Sequence, residues 1–324
     1  MQGFGSFLSV IATIFFLLVV GFILRKIGVI DDAASSRLSK LIINIAQPML
    51  IIHSLTSQAY SNAQLKAGFK ICLVGLLVHA VMSVIAYFAC AKIKELNERK
   101  ITEFSMVLGN CGFIGFPIFE SLFGENGLFL GAFFIVSFHL TLWTWGIAIL
   151  ARKREDIKLT WKKVLINFGT IPCTIGILLF VLKGLLQSRF ASFDYPLFFY
   201  EGCRYLGSLC TPISILITGA LIATKPLKKM FTSAKLYYLS AIKLIAIPIL
   251  VCAIMSVLRF DYDTILFCTV AASMPSAAVS SMLAELHSIS PSYASQGVGF
   301  TTLLSVGTMP FVLFLVPKIF ELLR

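Results

Sequence analysis

Charge is what this chain has least of. Only 13% of its 324 residues are charged, and just 15 are acidic, against roughly 25% charged in soluble globular domains. That shortage excludes a soluble fold. A hydrophobic share of 58% and a mean hydropathy of +0.92 point to a polytopic membrane protein. Histidine is scarce too: four dispersed residues make no convincing zinc cluster. There is no Cys-x-x-Cys pair, and the eight cysteines lie mostly inside apolar runs, where they act as small buried hydrophobes. A Walker lysine loop, a His-Glu-x-x-His helix and a Gly-x-Ser-x-Gly elbow are all absent. No enzyme and no cofactor is therefore expected. The first apolar run lacks a basic start and ends in Arg25 and Lys26, unlike a cleavable signal peptide.

What is present is a series of apolar runs. A span needs about 20 such residues, and ten can be placed, near 5–24, 39–57, 67–91, 103–123, 127–150, 163–186, 204–224, 236–258, 262–284 and 294–317. The formal charge of +12 could suggest nucleic acid, but the basic residues sit in short gaps between runs, where topology signals explain them. With the N-terminus outside, the inward gaps hold Arg25, Lys26, Arg37 and Lys40; Lys92, Lys94, Arg99 and Lys100; Arg152, Lys153, Arg154, Lys158, Lys162 and Lys163; and Lys225, Lys228, Lys229 and Lys235. That makes 18 basic residues inside against eight outside, which places both termini outside the cell membrane.

The fourth run is broken. Its centre reads Gly109, Asn110, Cys111, Gly112, Phe113, Ile114, Gly115, Phe116, Pro117. Gly costs a helix interior about 1 kcal/mol and Pro about 3 kcal/mol relative to Ala, and backbone groups freed in hydrocarbon must be met by protein or by a wet cavity. Pro48 interrupts the second run and Pro212 the seventh, an offset of 164 residues. The same offset carries Cys111 onto Pro275, in the ninth run (Ser273, Met274, Pro275, Ser276 to Ser281). Runs one to five thus repeat as six to ten. Five is odd, so the halves, 1–158 and 159–324, face opposite ways: a 5 + 5 inverted repeat of ten transmembrane helices. Matching interruptions in such halves mark a transporter's binding site.

Asn110 and Pro117 followed by Phe123-Gly124, Gln47-Pro48 with His53, Thr211-Pro212, and Met274-Pro275 running into Leu283-Ala284-Glu285 together resemble the auxin efflux carrier family. Its members include plant auxin exporters and bacterial malate and malonate permeases. The likeness covers essentially the whole chain, in order, and the short central loop looks like the bacterial members. It implies a fold related to sodium–proton antiporters and bile-acid symporters, with the fourth and ninth helices crossing at unwound centres. Helices 1, 2, 6 and 7 would form a scaffold and a homodimer surface, and helices 3–5 and 8–10 a moving transport domain. The family's substrate-facing Asn falls on Asn110, and its crossover prolines on Pro117 and Pro275. Plant members also have a second Pro where this chain has Ser281, and an acidic residue in the third helix. No acid lies between Lys66 and Lys92 here, so the plant route of proton coupling is not expected.

The candidate site follows from helix ends. A second half-helix presents unpaired N–H groups and about half a positive charge at its start, which binds a carboxylate without a basic side chain. Two inverted halves would aim two such ends at one point. Asn110, Cys111, Gly112, Pro117, Ser273, Pro275, Ser276 and Ser280 lie in the broken stretches, and Gln47, Thr211 and His139 could reach them. No acid lies between Asn110 and Pro117 or between Ser273 and Ser281, which favours an anion over a cation. Lys243 sits about a third of the way into the eighth run, and the 164 offset maps it onto His79. A charge at a helix centre costs about 2.5–3.5 kcal/mol on insertion scales and marks function, with snorkelling to the interface as the alternative. Lys243, His79 and Glu120 are the candidates for charge compensation or coupling. The expectation is a secondary transporter of a small organic anion, a mono- or dicarboxylate, working by alternating access, with a proton or sodium ion as the candidate coupling ion. Its rivals are a cation antiporter, an intramembrane enzyme and a channel.

Overall fold

The computed structural model describes residues 2–324 except 159, 161, 163, 165, 168, 191, 225 and 226. Lys163 and Lys225 of the charge tally, and residue 159 at the expected boundary between halves, fall outside the described residues. Every named element is helical: α1 Gln2–Lys26, α2 Asp32–Thr56, α3 Asn62–Ala89, α4 Leu96–Val107, α5 Cys111–Ala151, α6 Thr170–Arg189, α7 Leu197–Ala223, α8 Ala234–Val257, α9 Tyr262–Ser273, α10 Val279–Leu286 and α11 Pro291–Leu322. A short helix, Leu227–Phe231, precedes α8.

Among the described residues, eight of these helices are long and apolar enough to cross a membrane. Ten runs were expected, and the difference lies in the fourth and ninth. The fourth run is α4 plus the first arm of α5, which continues into the fifth through a sharp bend at Gly124. There φ is +63° and ψ −152°, a conformation only glycine adopts readily. The ninth run is α9 and α10, each too short to span alone.

Both interruptions have local causes. Leu108 turns to an extended conformation (φ −101°, ψ 110°), and Asn110 leaves the helical region (φ −77°, ψ 53°). Met274 is extended (φ −58°, ψ 144°), as expected for a residue crowded by the ring of the following Pro275. Pro48, Pro117 and Pro248 lie inside continuous helices: the residues two before them, Ala46, Gly115 and Ala246, keep helical φ and ψ. Four five-residue π turns, Ile42–Ala46, Cys111–Gly115, Leu142–Gly146 and Ile242–Ala246, were not foreseen. The first, second and fourth are followed one residue on by Pro48, Pro117 and Pro248. A proline ring excludes the usual carbonyl one turn back, and the wider turn relieves that crowding.

Side-chain contacts identify the two ends of the bundle. At one end Lys235 meets Glu98 at 2.5 Å, Tyr238 donates to the Ala89 carbonyl, Arg152 pairs with buried Glu103 and Arg154 donates to the His287 carbonyl. At the other, Gln58 donates to Glu125, Lys70 meets Asp261 at 2.5 Å and Lys183 donates to the Thr56 carbonyl. Helix α1 packs chiefly on α7, and α2 on α6 and α7; α3 packs on α5, and α8 on α9 and α11. The centre is aromatic: Phe119 and Phe267 stack with ring centroids 4.3 Å apart, joining the first arm of α5 to α9. Aromatic pairs of this kind add about 0.5–1.5 kcal/mol beyond the area they bury.

Candidate functional site

The two interrupted stretches meet. Gly109 and Ser276 form an isolated antiparallel bridge, with the Asn110 amide donating to the Pro275 carbonyl at 2.7 Å and the Ala277 amide to the Leu108 carbonyl at 2.9 Å. Four backbone groups freed by the breaks thus satisfy one another, as burial demands. The paired residues are 167 apart in sequence, three more than the 164 measured from Pro48 and Pro212. Those prolines index the seventh run against the second, and they do not fix the register where α4 and α9 end.

Beyond the bridge the next amides are left over. The Asn110 carbonyl accepts from Ile114 and Gly115, and the Ser276 amide donates to the Thr301 hydroxyl. The amides of Gly112 and Phe113, at the start of α5, and of Ala278 and Val279, at the start of α10, have no protein partner among the described residues. All four residues line one cavity of about 630 Å³. The Asn110 side chain lines it too, and its buried Nδ2 has no partner. So does His139, both of whose ring nitrogens are buried without a partner. Gln47 enters from α2: its Nε2 lies 2.8 Å from where a Cβ on Gly112 would stand. Glycine at 112 therefore gives the amide of α2 access to the head of α5.

The walls are otherwise apolar, with Phe138, Leu142, Trp143 and Met282 among them, and among the described residues no acidic side chain lines the cavity. Among the described residues, the lysine that lines it is Lys40. The cavity reaches from the bridge toward the end of the bundle that holds Lys40, Gly169 and Leu286, the end where Arg154 meets His287.

Lys243 stands behind the bridge, fully buried at 0% exposure. Its ammonium lies 3.4 Å from the Ala272 carbonyl, in the last turn of α9, and 3.4 Å from the Cβ position of Gly109. The ammonium is enclosed by protein and does not reach solvent. A last turn carries about half a negative charge, and both α4 and α9 end beside this ammonium. His79 is also buried, its Nδ1 2.7 Å from the Gly75 carbonyl and its ring against Phe134.

Of the candidates drawn from the sequence, Asn110, Gly112, Gln47 and His139 line the cavity. The serines go elsewhere: Ser273 donates to the Val270 carbonyl and Ser276 to that of Ser105. The Ser280 hydroxyl is buried and unpartnered but outside the lining. Cys111 points its Sγ at the Ala271 carbonyl and Thr211 its hydroxyl at that of Phe113. Pro117 and Pro275 shape the breaks without lining the cavity, and Glu120 is exposed beyond it on the first arm of α5. Sequence reasoning missed Phe138, Asn167 and Gly169 as lining residues, and treated Lys40 only as a topology signal. Asn167 holds its place by capping: its side-chain oxygen accepts the amides of Gly169 and Thr170 at the head of α6.

Known proteins resemble this chain along its length. An uncharacterized transporter of Methanothermobacter thermautotrophicus is 23% identical over 302 residues, 93% of this chain and 95% of its own. An uncharacterized transporter of Methanocaldococcus jannaschii is 26% identical over 225 residues, 68% of this chain and 70% of its own. A Rhizobium meliloti protein named "Putative malonate transporter" is 25% identical over 308 residues, 93% of each chain. The membrane transport protein family matches residues 6–313. By that match the chain belongs to the membrane transport protein family, the family of the auxin efflux carriers.

Proposed function

We propose that this transporter carries a small organic anion, a mono- or dicarboxylate, and holds it where the two breaks cross. The observation behind this reading is the set of four partnerless amides that share one acid-free cavity with the partnerless carboxamide of Asn110. Two helix starts aimed at one point hold negative charge, while a cation antiporter would need carboxylates there. Malonate is the first probe to try, because a full-length relative carries it in its name.

In this reading the chain is a 5 + 5 inverted repeat of ten transmembrane helices in the cell membrane, with both termini outside. Helices α1, α2, α6 and α7 form a scaffold and a homodimer surface, and the rest form the moving domain. The cavity opens toward the end bearing most of the basic loops, so the present shape is open to the cytoplasm. Alternating access moves the crossing past the scaffold and exposes the same amides to the other face. Lys243 compensates the ends of α4 and α9 with a resident charge; a coupling proton or sodium ion, with Glu120 or His79 as its relay, belongs to the same proposal.

Counterflow in proteoliposomes tests it. Purified protein should exchange labelled malonate or malate against the unlabelled anion trapped inside, with trans-stimulation. Equilibration without trans-stimulation would make it a channel, and no exchange of any carboxylate would overturn the proposal.

A further inference from the structure

We infer that Lys40, with Asn44 and Gln47 above it, is the entry track that captures the anion at the cavity mouth and passes it to the crossing; this rests on the carboxylate reading above. All three residues line the cavity from α2. They stand four and three residues apart, so they follow one face of the helix over about two turns, roughly 10 Å at 1.5 Å per residue. The π turn Ile42–Ala46 lies inside this stretch and adjusts where the face points. Lys40 is exposed at the mouth and Gln47 is half-buried at the crossing. The ladder thus runs from solvent to the amide ends.

The chemistry is graded in the same direction. Lys40 supplies a full charge, and among the described residues no acidic side chain lines the cavity to neutralise it. Asn44 spends one Nδ2 hydrogen on the Lys40 carbonyl at 2.8 Å and keeps a second to offer. Gln47 brings its Nε2 to the backbone of Gly112, beside the free amides. An anion entering between walls such as Leu142, Trp143 and Met282 leaves water only gradually, exchanging a charged donor for neutral ones. A low-dielectric cleft with one basic group at its mouth concentrates field lines and raises the local anion concentration. The effect is screened by salt, with a Debye length of about 10 Å at 0.1 M. Lys40 is therefore a positioning residue for capture, and the crossing determines turnover.

The test is malonate counterflow by the full-length protein in proteoliposomes, with wild type, Lys40→Gln and Lys40→Arg compared at low and moderate salt. Lys40→Gln should raise the KM about tenfold, leave the maximal rate within twofold, and flatten the dependence of KM on salt. Lys40→Arg should restore all three. The increase should be felt for malonate presented at the Lys40 face and not at the other. A Lys40→Gln protein with wild-type KM and salt dependence overturns the inference, and so does a loss confined to maximal rate. Equal thermal unfolding of the variants separates either result from misfolding. If wild type exchanges no carboxylate, the transport reading itself fails; if wild type exchanges and Lys40→Gln matches it, only the entry track fails.

Discussion

The backbone amide of Asn110 donates to the carbonyl of Pro275 at 2.7 Å, joining two helix breaks that lie more than 160 residues apart. With its backbone N–H spent on that bond, Asn110 has only its side chain to offer a guest. The Nδ2 is buried and has no partner. A buried donor left unsatisfied costs about 1–3 kcal/mol, whereas a hydrogen bond to a charged group is worth about 1.5–3 kcal/mol. Asn110→Ala should therefore unfold at the same temperature or higher while its malonate KM rises roughly ten- to a hundredfold. A variant that is destabilised yet transports normally would contradict this role.

Lys243→Met removes a charge whose burial costs about 2.5–3.5 kcal/mol on insertion scales and whose neighbour is the carbonyl end of α9. The helix ends lose about 0.3–2 kcal/mol of compensation, so folded protein should still reach the membrane. Transport should be abolished. Unchanged uptake in a counterflow assay would refute the role given to Lys243.

Gly169 stands at the head of α6, where a Cβ would come within 1.8 Å of the His139 Nε2. Gly169→Ala should force the imidazole aside at a cost of about 1–3 kcal/mol, lowering the unfolding temperature in detergent. His139→Ala clears the same space, so the double variant should be more stable than Gly169→Ala alone. Additive losses would show that the two residues do not share the site.

Acid should weaken the end of the bundle that holds Asp261. Burial alone would raise its pKa, but hydrogen bonds from Lys70 and Thr264 outweigh that and hold it at about 2. A carboxyl with a depressed folded pKa adds stability above its unfolded value, near 3.9, and loses it as pH falls toward 2. Unfolding temperature should decline across that window. Asp261→Asn keeps the cap of α9, in which the side-chain oxygen accepts the Thr264 amide, and loses the charge pair with Lys70. It should cost less than Asp261→Ala, whose lost cap is worth about 1 kcal/mol, and should flatten the acid decline.

The breaks were legible because their residue types conflict with a helix in lipid: Gly109, Asn110 and Pro117 on one side, Pro275 on the other. Asn110, Gly112, Gln47 and His139 were found for related reasons, as polar or permissive residues among apolar ones. The register of the bridge was not legible, because Pro48 and Pro212 measure a different helix pair. Nor were the directions of Ser273 and Ser276, whose hydroxyls turn to the Val270 and Ser105 carbonyls. Ser273 finds a backbone acceptor one turn back in its own helix, whereas Ser276 reaches one on α4 that only the packed fold supplies. Lys40 looked like every other basic residue near a helix end, until folding set it below Asn44 and Gln47 on the wall of one cavity.

The central claim is that the starts of α5 and α10 together hold the anion. An electron cryomicroscopy map of the protein with malonate tests it most directly. Density for a carboxylate is expected within hydrogen-bond reach of the amides of Gly112, Phe113, Ala278 and Val279 and of the Asn110 side chain. Malonate density elsewhere, or a cation between those amides, would contradict it.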